Sequence, residues 1–133
     1  MTTRREALMA MAAQAGLGGR KLRVGVVGGR FGTSFYFHEH PNASVEAVAD
    51  LRADRRDRLQ SVYKCPKAFS SLDELLRDRA VEAVGLFTPA PDHVKHAIAT
   101  MRAGKHVLSA VPAAMTLEEC RQLVDAVKST GMT

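Results

Sequence analysis

An apolar stretch, Arg23 to Val27, runs into the turn Gly28-Gly29-Arg30-Phe31-Gly32, and an acid, Asp50, closes the next apolar stretch about 20 residues further on. Residues of these types at this spacing suit recognition of a diphosphate and a ribose. A chain that leaves a strand, turns sharply and lays its amides against a pyrophosphate cannot carry side chains at the closest points, and the start of a following helix adds partial positive charge. A carboxylate one helix and one strand later accepts hydrogen bonds from ribose hydroxyls. A full fingerprint would read G-x-G-x-x-G, whereas the first two glycines here are adjacent. Such a turn serves packing as readily as it serves a nucleotide.

Other residues with chemical potential are read more plainly. His38 and His40 form a His-x-His pair, and His93 and His96 lie three apart on a helical stretch, but no matching third ligand accompanies either pair. They are read as surface or cap residues, with His93 as a polar residue of a cleft and His106 as structural. Cys65 and Cys120 lack the CxxC spacing of a metal or redox site. Cys120 is expected on the apolar face of a helix with Leu117, Leu123, Val124 and Val127. Phe31, Phe35 and Phe37 are expected in the core.

The elements that must position these residues alternate without a break. Strands are expected at Val24–Val27, Val45–Ala49, near Ala68 and Phe69, at Val81–Phe87 and at His106–Leu108. Between them the pattern predicts a helix over about Phe31 to His40, stopped by Pro41, and another over Asp54 to Tyr63 with Leu59, Val62 and Tyr63 inward. Ser71 with Glu74, and Thr116 with Glu119, are capping boxes that open two more. A fifth helix spans about Asp92 to Ala103, with Val94, Ala97, Ile98 and Met101 on one stripe and Gly104 at its end. Strict alternation implies an α/β Rossmann-type three-layer sandwich, a doubly wound parallel sheet of order 3-2-1-4-5. Its crevice would lie between strands one and four, where the glycine turn, Asp50 and Thr88-Pro89 all end strands.

Composition narrows the classes. The 133 residues allow one ordinary domain, and no apolar run approaches the ~20 residues a membrane span needs. The net charge of +5 sits mostly in residues 1–23, where Arg4, Arg5, Arg20, Lys21 and Arg23 face Glu6 alone. The rest is nearly neutral, the run Arg52 to Arg58 reads as a solvated helix face, and no nucleic-acid motif is present. Residues 1–20 form a leader or flexible extension, and 21–133 the domain. Arg4-Arg5 before an Ala- and Met-rich stretch resembles a twin-arginine leader, so periplasmic export stands as the alternative to a cytoplasmic protein.

Several segments in this order, VGVVGGRFG, VEAVAD, SLDELLRDRAVEAVGLFTPAPDH and AGKHVLSAVPAAMTLEEC, resemble the N-terminal domain of the Gfo/Idh/MocA oxidoreductases over roughly residues 21–133. The resemblance implies a Rossmann domain holding NAD, with NADP possible, and a second domain that takes a small carbohydrate-like substrate. Carried over by position, Gly28, Gly29, Arg30, Phe31 and Gly32 would hold the pyrophosphate, and Asp50, with Leu51 and Arg52, the adenosine ribose. Thr88, Pro89 and His93 would border the rest of the cleft. Asp50 disfavours a 2′-phosphate, while Arg52 could accommodate one.

Two departures qualify that reading. Where the family has Glu-Lys-Pro this chain has Ala110-Val111-Pro112, and valine cannot orient a substrate or move a proton. The resemblance also stops where a sixth strand would begin, which suggests a fragment, an isolated domain or a short form. A noncatalytic nucleotide-binding or interaction module, and a Rossmann remnant that only packs, are the competing readings. An uncovered sheet edge after strand five would favour homo-oligomers.

Overall fold

In a computed structural model that describes residues 3, 4 and 19–133, the chain forms one five-stranded parallel sheet. The expected leader lies almost wholly outside the described residues. The strands are β1 (Leu22–Val27), β2 (Ala43–Ala49), β3 (Ala68–Phe69), β4 (Ala83–Leu86) and β5 (His106–Ser109). Their order is β3-β2-β1-β4-β5, as the alternation implied. β1 is central because its residues are apolar on both faces, and it pairs with β2 on one side and β4 on the other.

The helices are α1 (Ala53–Tyr63), α2 (Leu72–Leu76), α3 (His93–Arg102) and α4 (Leu117–Thr130). Side-chain alternation divides the core. Val24, Val26 and Val48 point to one face, where Leu59 and Tyr63 of α1 cover them. Val27, Ala47, Ala49, Val84 and Leu86 point to the other, under α2 and α3. Both N-caps form: Ser71 accepts from the Glu74 amide and Thr116 from that of Glu119, while the Glu74 and Glu119 carboxylates reach back to the amides of Ser70 and Met115.

The first predicted helix is absent. Between β1 and β2 the chain makes two short 3-10 turns, Phe31–Ser34 and Phe37–Glu39, separated by Tyr36 in the left-handed region. The cause is local: Thr33, Phe35, Tyr36, Phe37 and His38 are poor helix formers, and Arg30 before them makes no side-chain cap. A cluster of aromatic rings takes the place of the helix. Phe35 stacks on Phe87 with centroids 4.4 Å apart, and Phe31 meets Phe35 edge-on at 5.1 Å. The core reading therefore fails for two of the three phenylalanines: Phe37 is half-buried, but Phe31 and Phe35 remain 57% and 42% exposed. Cys120 likewise faces solvent, because the buried stripe of α4 runs through Leu123 and Ala126 instead.

Candidate functional site

The cleft opens at the carboxyl ends of β1 and β4, where the strand order reverses, and holds a cavity of about 560 Å³. Of the sequence-derived candidates, Gly28, Arg30, Asp50, Leu51, Arg52, Thr88 and Pro89 line it. Gly29, Phe31, Gly32 and His93 do not. Gly29, Gly32 and His93 are buried behind the wall, while Phe31 is exposed and packs edge-on against Phe35.

Asp50 organises the turn. Its two carboxylate oxygens accept from the backbone amides of Gly29 and Arg52, both at 2.8 Å, while the Arg56 guanidinium donates to its carbonyl at 2.9 Å. Each oxygen keeps a second lone pair for a hydroxyl. Inside the turn the Gly28 amide donates to Ala49 and the Gly32 amide to Gly28. With Gly29 engaged by Asp50, the amides of Arg30 and Phe31 are the ones in the turn without a hydrogen-bond partner among the described residues.

Close approach explains the glycines. Gly28 has φ +106, and a Cβ there would lie 2.4 Å from the Phe87 carbonyl oxygen. At Gly29 a Cβ would lie 2.4 Å from the Arg55 carbonyl oxygen. The turn is thus wedged between the start of the β4 exit and α1. Tyr63 of α1 fastens it from below by donating its hydroxyl proton to the Gly32 carbonyl. Burial pushes that phenol above its ordinary pKa.

His93 is 2% exposed and works as a clamp. Nδ1 lies 2.7 Å from the Pro112 carbonyl oxygen and Nε2 2.7 Å from that of Thr88, so the ring joins the loops leaving β5 and β4. His96, one turn on, does reach the cavity. Its Nδ1 is 2.9 Å from Thr88 Oγ1, and burial lowers its pKa, with Asp92 opposing.

Sequence reasoning missed Arg55, Ser71, Asp73, Phe87, Asp92, Lys95 and His96 in the cavity wall. The run read as a solvated face in fact sends Arg52 and Arg55 to the cleft, and their place directly after Asp50 was the available signal. Four cations, Arg30, Arg52, Arg55 and Lys95, then face three carboxylates, Asp50, Asp73 and Asp92. The Arg52 guanidinium is held by Asp54 through two hydrogen bonds of 3.0 and 3.1 Å, which keep the Asp54 carboxyl below its usual range. Val111, where the family's lysine would stand, is 89% exposed and is not among the lining residues. No group of three or more His, Cys, Asp or Glu able to hold a metal occurs among the described residues, and none of their helices is long and apolar enough to cross a membrane.

Comparison with known proteins agrees with this fold. Residues 22–133 match the family model described as an oxidoreductase family with an NAD-binding Rossmann fold. A 1,5-anhydro-D-fructose reductase of Ensifer adhaerens is 42% identical over 66 residues, covering 50% of this chain and 20% of the reductase. A myo-inositol 2-dehydrogenase of Thermotoga maritima is 29% identical over 117 residues, covering 84% of this chain and 34% of the dehydrogenase. Among solved structures, the WlbA dehydrogenase of Bordetella pertussis, in complex with NADH and UDP-GlcNAcA, superposes with a TM-score of 0.78 at 26% identity, over 85% of this chain and 34% of that one. The chain spans about a third or less of the length of the curated relatives it matches.

Proposed function

This chain belongs to the Gfo/Idh/MocA oxidoreductase family, and we propose that its cleft binds the adenosine and diphosphate portions of NAD for hydride transfer with a sugar-like or cyclitol-like hydroxyl. The carrying observation is that one carboxylate, Asp50, both ties down the glycine turn and lines the cavity beside it. The donor set fits the cofactor: Asp50 offers acceptors to ribose hydroxyls, the Arg30 amide at the cavity wall is available to a diphosphate, and the lining's four cations outnumber its three carboxylates. NAD, when bound, supplies or accepts the hydride.

The residues of this chain bind and orient. Gly28, Gly29 and Gly32 hold the turn in shape, Leu51 and Arg52 flank the ribose, Thr88 and Pro89 form the opposite wall, and His93 holds that wall to the loop at Pro112. NAD is preferred over NADP, because Asp50 would face a 2′-phosphate and Arg52 is already paired with Asp54. Titrating NADH fluorescence against the chain tests the assignment. Asp50→Ala should weaken binding about tenfold or more, and Asp50→Arg should shift preference toward NADPH. Equal affinity in parent and Asp50→Ala would remove the proposal.

A second reading rests on Val111, which offers no proton at the family's lysine position. On this reading the protein binds the cofactor and turns nothing over. A hydride-transfer assay separates the two, since binding without turnover favours the module. Cytoplasmic residence is the companion proposal, with twin-arginine export the alternative that fractionation would reveal.

A further inference from the structure

The cleft does not end at Asp50 and the glycine turn. Its wall also includes Leu72 and Asp73 of α2, Asp92 just before α3, and His96 and Ala99 of α3. Leu72 and Ala99, with Leu51 after β2 and Pro89 after β4, supply apolar surface for a flat ring, and the polar groups beside them are two carboxylates and an imidazole. In a site of this composition the few convergent polar groups fix a ligand's orientation and decide which ligand is taken.

His96 is held in place by Thr88. Its Nδ1 lies 2.9 Å from the Thr88 hydroxyl, and His93 Nε2 holds the carbonyl of the same threonine at 2.7 Å. The hydroxyl proton needs an acceptor, and among the described residues His96 Nδ1 is the partner Thr88 Oγ1 has, so the hydroxyl donates and Nδ1 accepts. The ring's own proton then sits on Nε2, which makes no hydrogen bond within the described residues. Burial lowers the pKa of His96, so near neutral pH the ring is uncharged and Nε2 is a donor. Asp92 and Asp73 lie close enough to favour the charged ring, against Lys95 and His93. Neither carboxylate has a hydrogen bond or ion pair among the described residues, and an ionised carboxylate can only accept.

A donor beside two acceptors complements the amino edge of adenine. There the 6-amino group donates and the neighbouring ring nitrogen, N1, accepts; in hypoxanthine the 6-oxo group accepts and N1 carries a proton, so both signs are reversed. We propose that Asp73, Asp92 and His96 select the base of the dinucleotide, the carboxylates accepting from the 6-amino group of adenine and the His96 Nε2–H donating to N1. Lys95 would favour a 6-oxo group, but it is exposed and stands against two carboxylates. The inference rests on the dinucleotide reading of the cleft and adds the residues that choose its base.

Fluorescence titration of the full chain with NADH and with reduced nicotinamide hypoxanthine dinucleotide tests it, since the two share the fluorescent nicotinamide and differ only at the base. The parent should bind NADH at least about tenfold more tightly than the hypoxanthine form. Asp73→Asn and Asp92→Asn should each reduce that ratio, and D73N/D92N should bring it close to unity, because an amide both donates and accepts. Affinity for the hypoxanthine form should hold or rise in the double variant, a result that damage to the fold would not give. His96→Leu should weaken NADH about threefold or more. Equal binding of the two dinucleotides by the parent, a ratio that survives D73N/D92N, or NADH affinity unmoved by His96→Leu would overturn the proposal and leave the cofactor reading intact. A parent that binds neither dinucleotide would overturn both.

Discussion

The two crossovers that flank the cleft solve the same problem differently. From β4 to β5 the chain uses a true helix, α3, which buries Val94, Ala97, Thr100 and Met101 and holds its shape through its own backbone hydrogen bonds. From β1 to β2 it uses two 3-10 turns, and the contacts that fix the turn at 28–32 come largely from other elements: hydrogen bonds to Asp50 after β2, from Tyr63 of α1 and to Ala49 of β2, and close packing against the Phe87 backbone beyond β4. One wall of the site is therefore autonomous and the other is assembled. An assembled wall should fail when its distant partners are cut, while α3 is undisturbed.

The severest break is expected at Gly28→Ala. The positive φ and the 2.4 Å approach to Phe87 leave no room for a methyl group, so urea denaturation should show a loss of about 3 kcal/mol or more, with Gly104→Ala, where nothing lies within 4 Å, far milder. Next comes His93→Ala, which removes a buried ring and frees two carbonyls. It should cost about 2–3 kcal/mol and raise protease sensitivity in the loop around Pro112. Tyr63→Phe deletes one buried hydrogen bond and should cost about 1 kcal/mol. Amide exchange should rise in residues 28–40 and stay unchanged in α3; equal change in both would erase the contrast drawn between the crossovers.

The smallest effect concerns pH. His96 has a folded pKa below the ordinary 6.5, because burial disfavours its charged form. The unfolded chain then binds more protons just below that value, so the stability contributed is complete above pH 6.5 and declines as pH falls through the lower folded value. Urea midpoints across this window should slope in the parent and flatten in His96→Asn.

The legibility of the site tracks the range of the interactions that make it. β1 and β4 were readable as almost wholly apolar runs, α2 and α4 from their capping boxes, and α3 from a stripe at helical spacing, since each signal lies within a few residues. The helix expected at Phe31–His40 was not, because the glycine pattern and Pro41 framed a segment whose own aromatic residues do not support helix. Arg55, Lys95 and His96 were not placed in the cleft because they lie on helices that only the sheet brings together. His93 was placed in the cleft, yet its ring is turned inward by two carbonyls, one of them at Pro112.

By itself the amino-acid order determined the parallel α/β architecture, the strand order and the meeting of the glycine turn with Asp50 at one edge, because hydrophobic period and turn chemistry act over short stretches. Only the tertiary structure decided which turn amides remain available, which basic residues face the cavity and which side of α4 packs on the domain. Those outcomes depend on contacts between segments far apart along the chain, where a side chain's role is set by what the fold places against it.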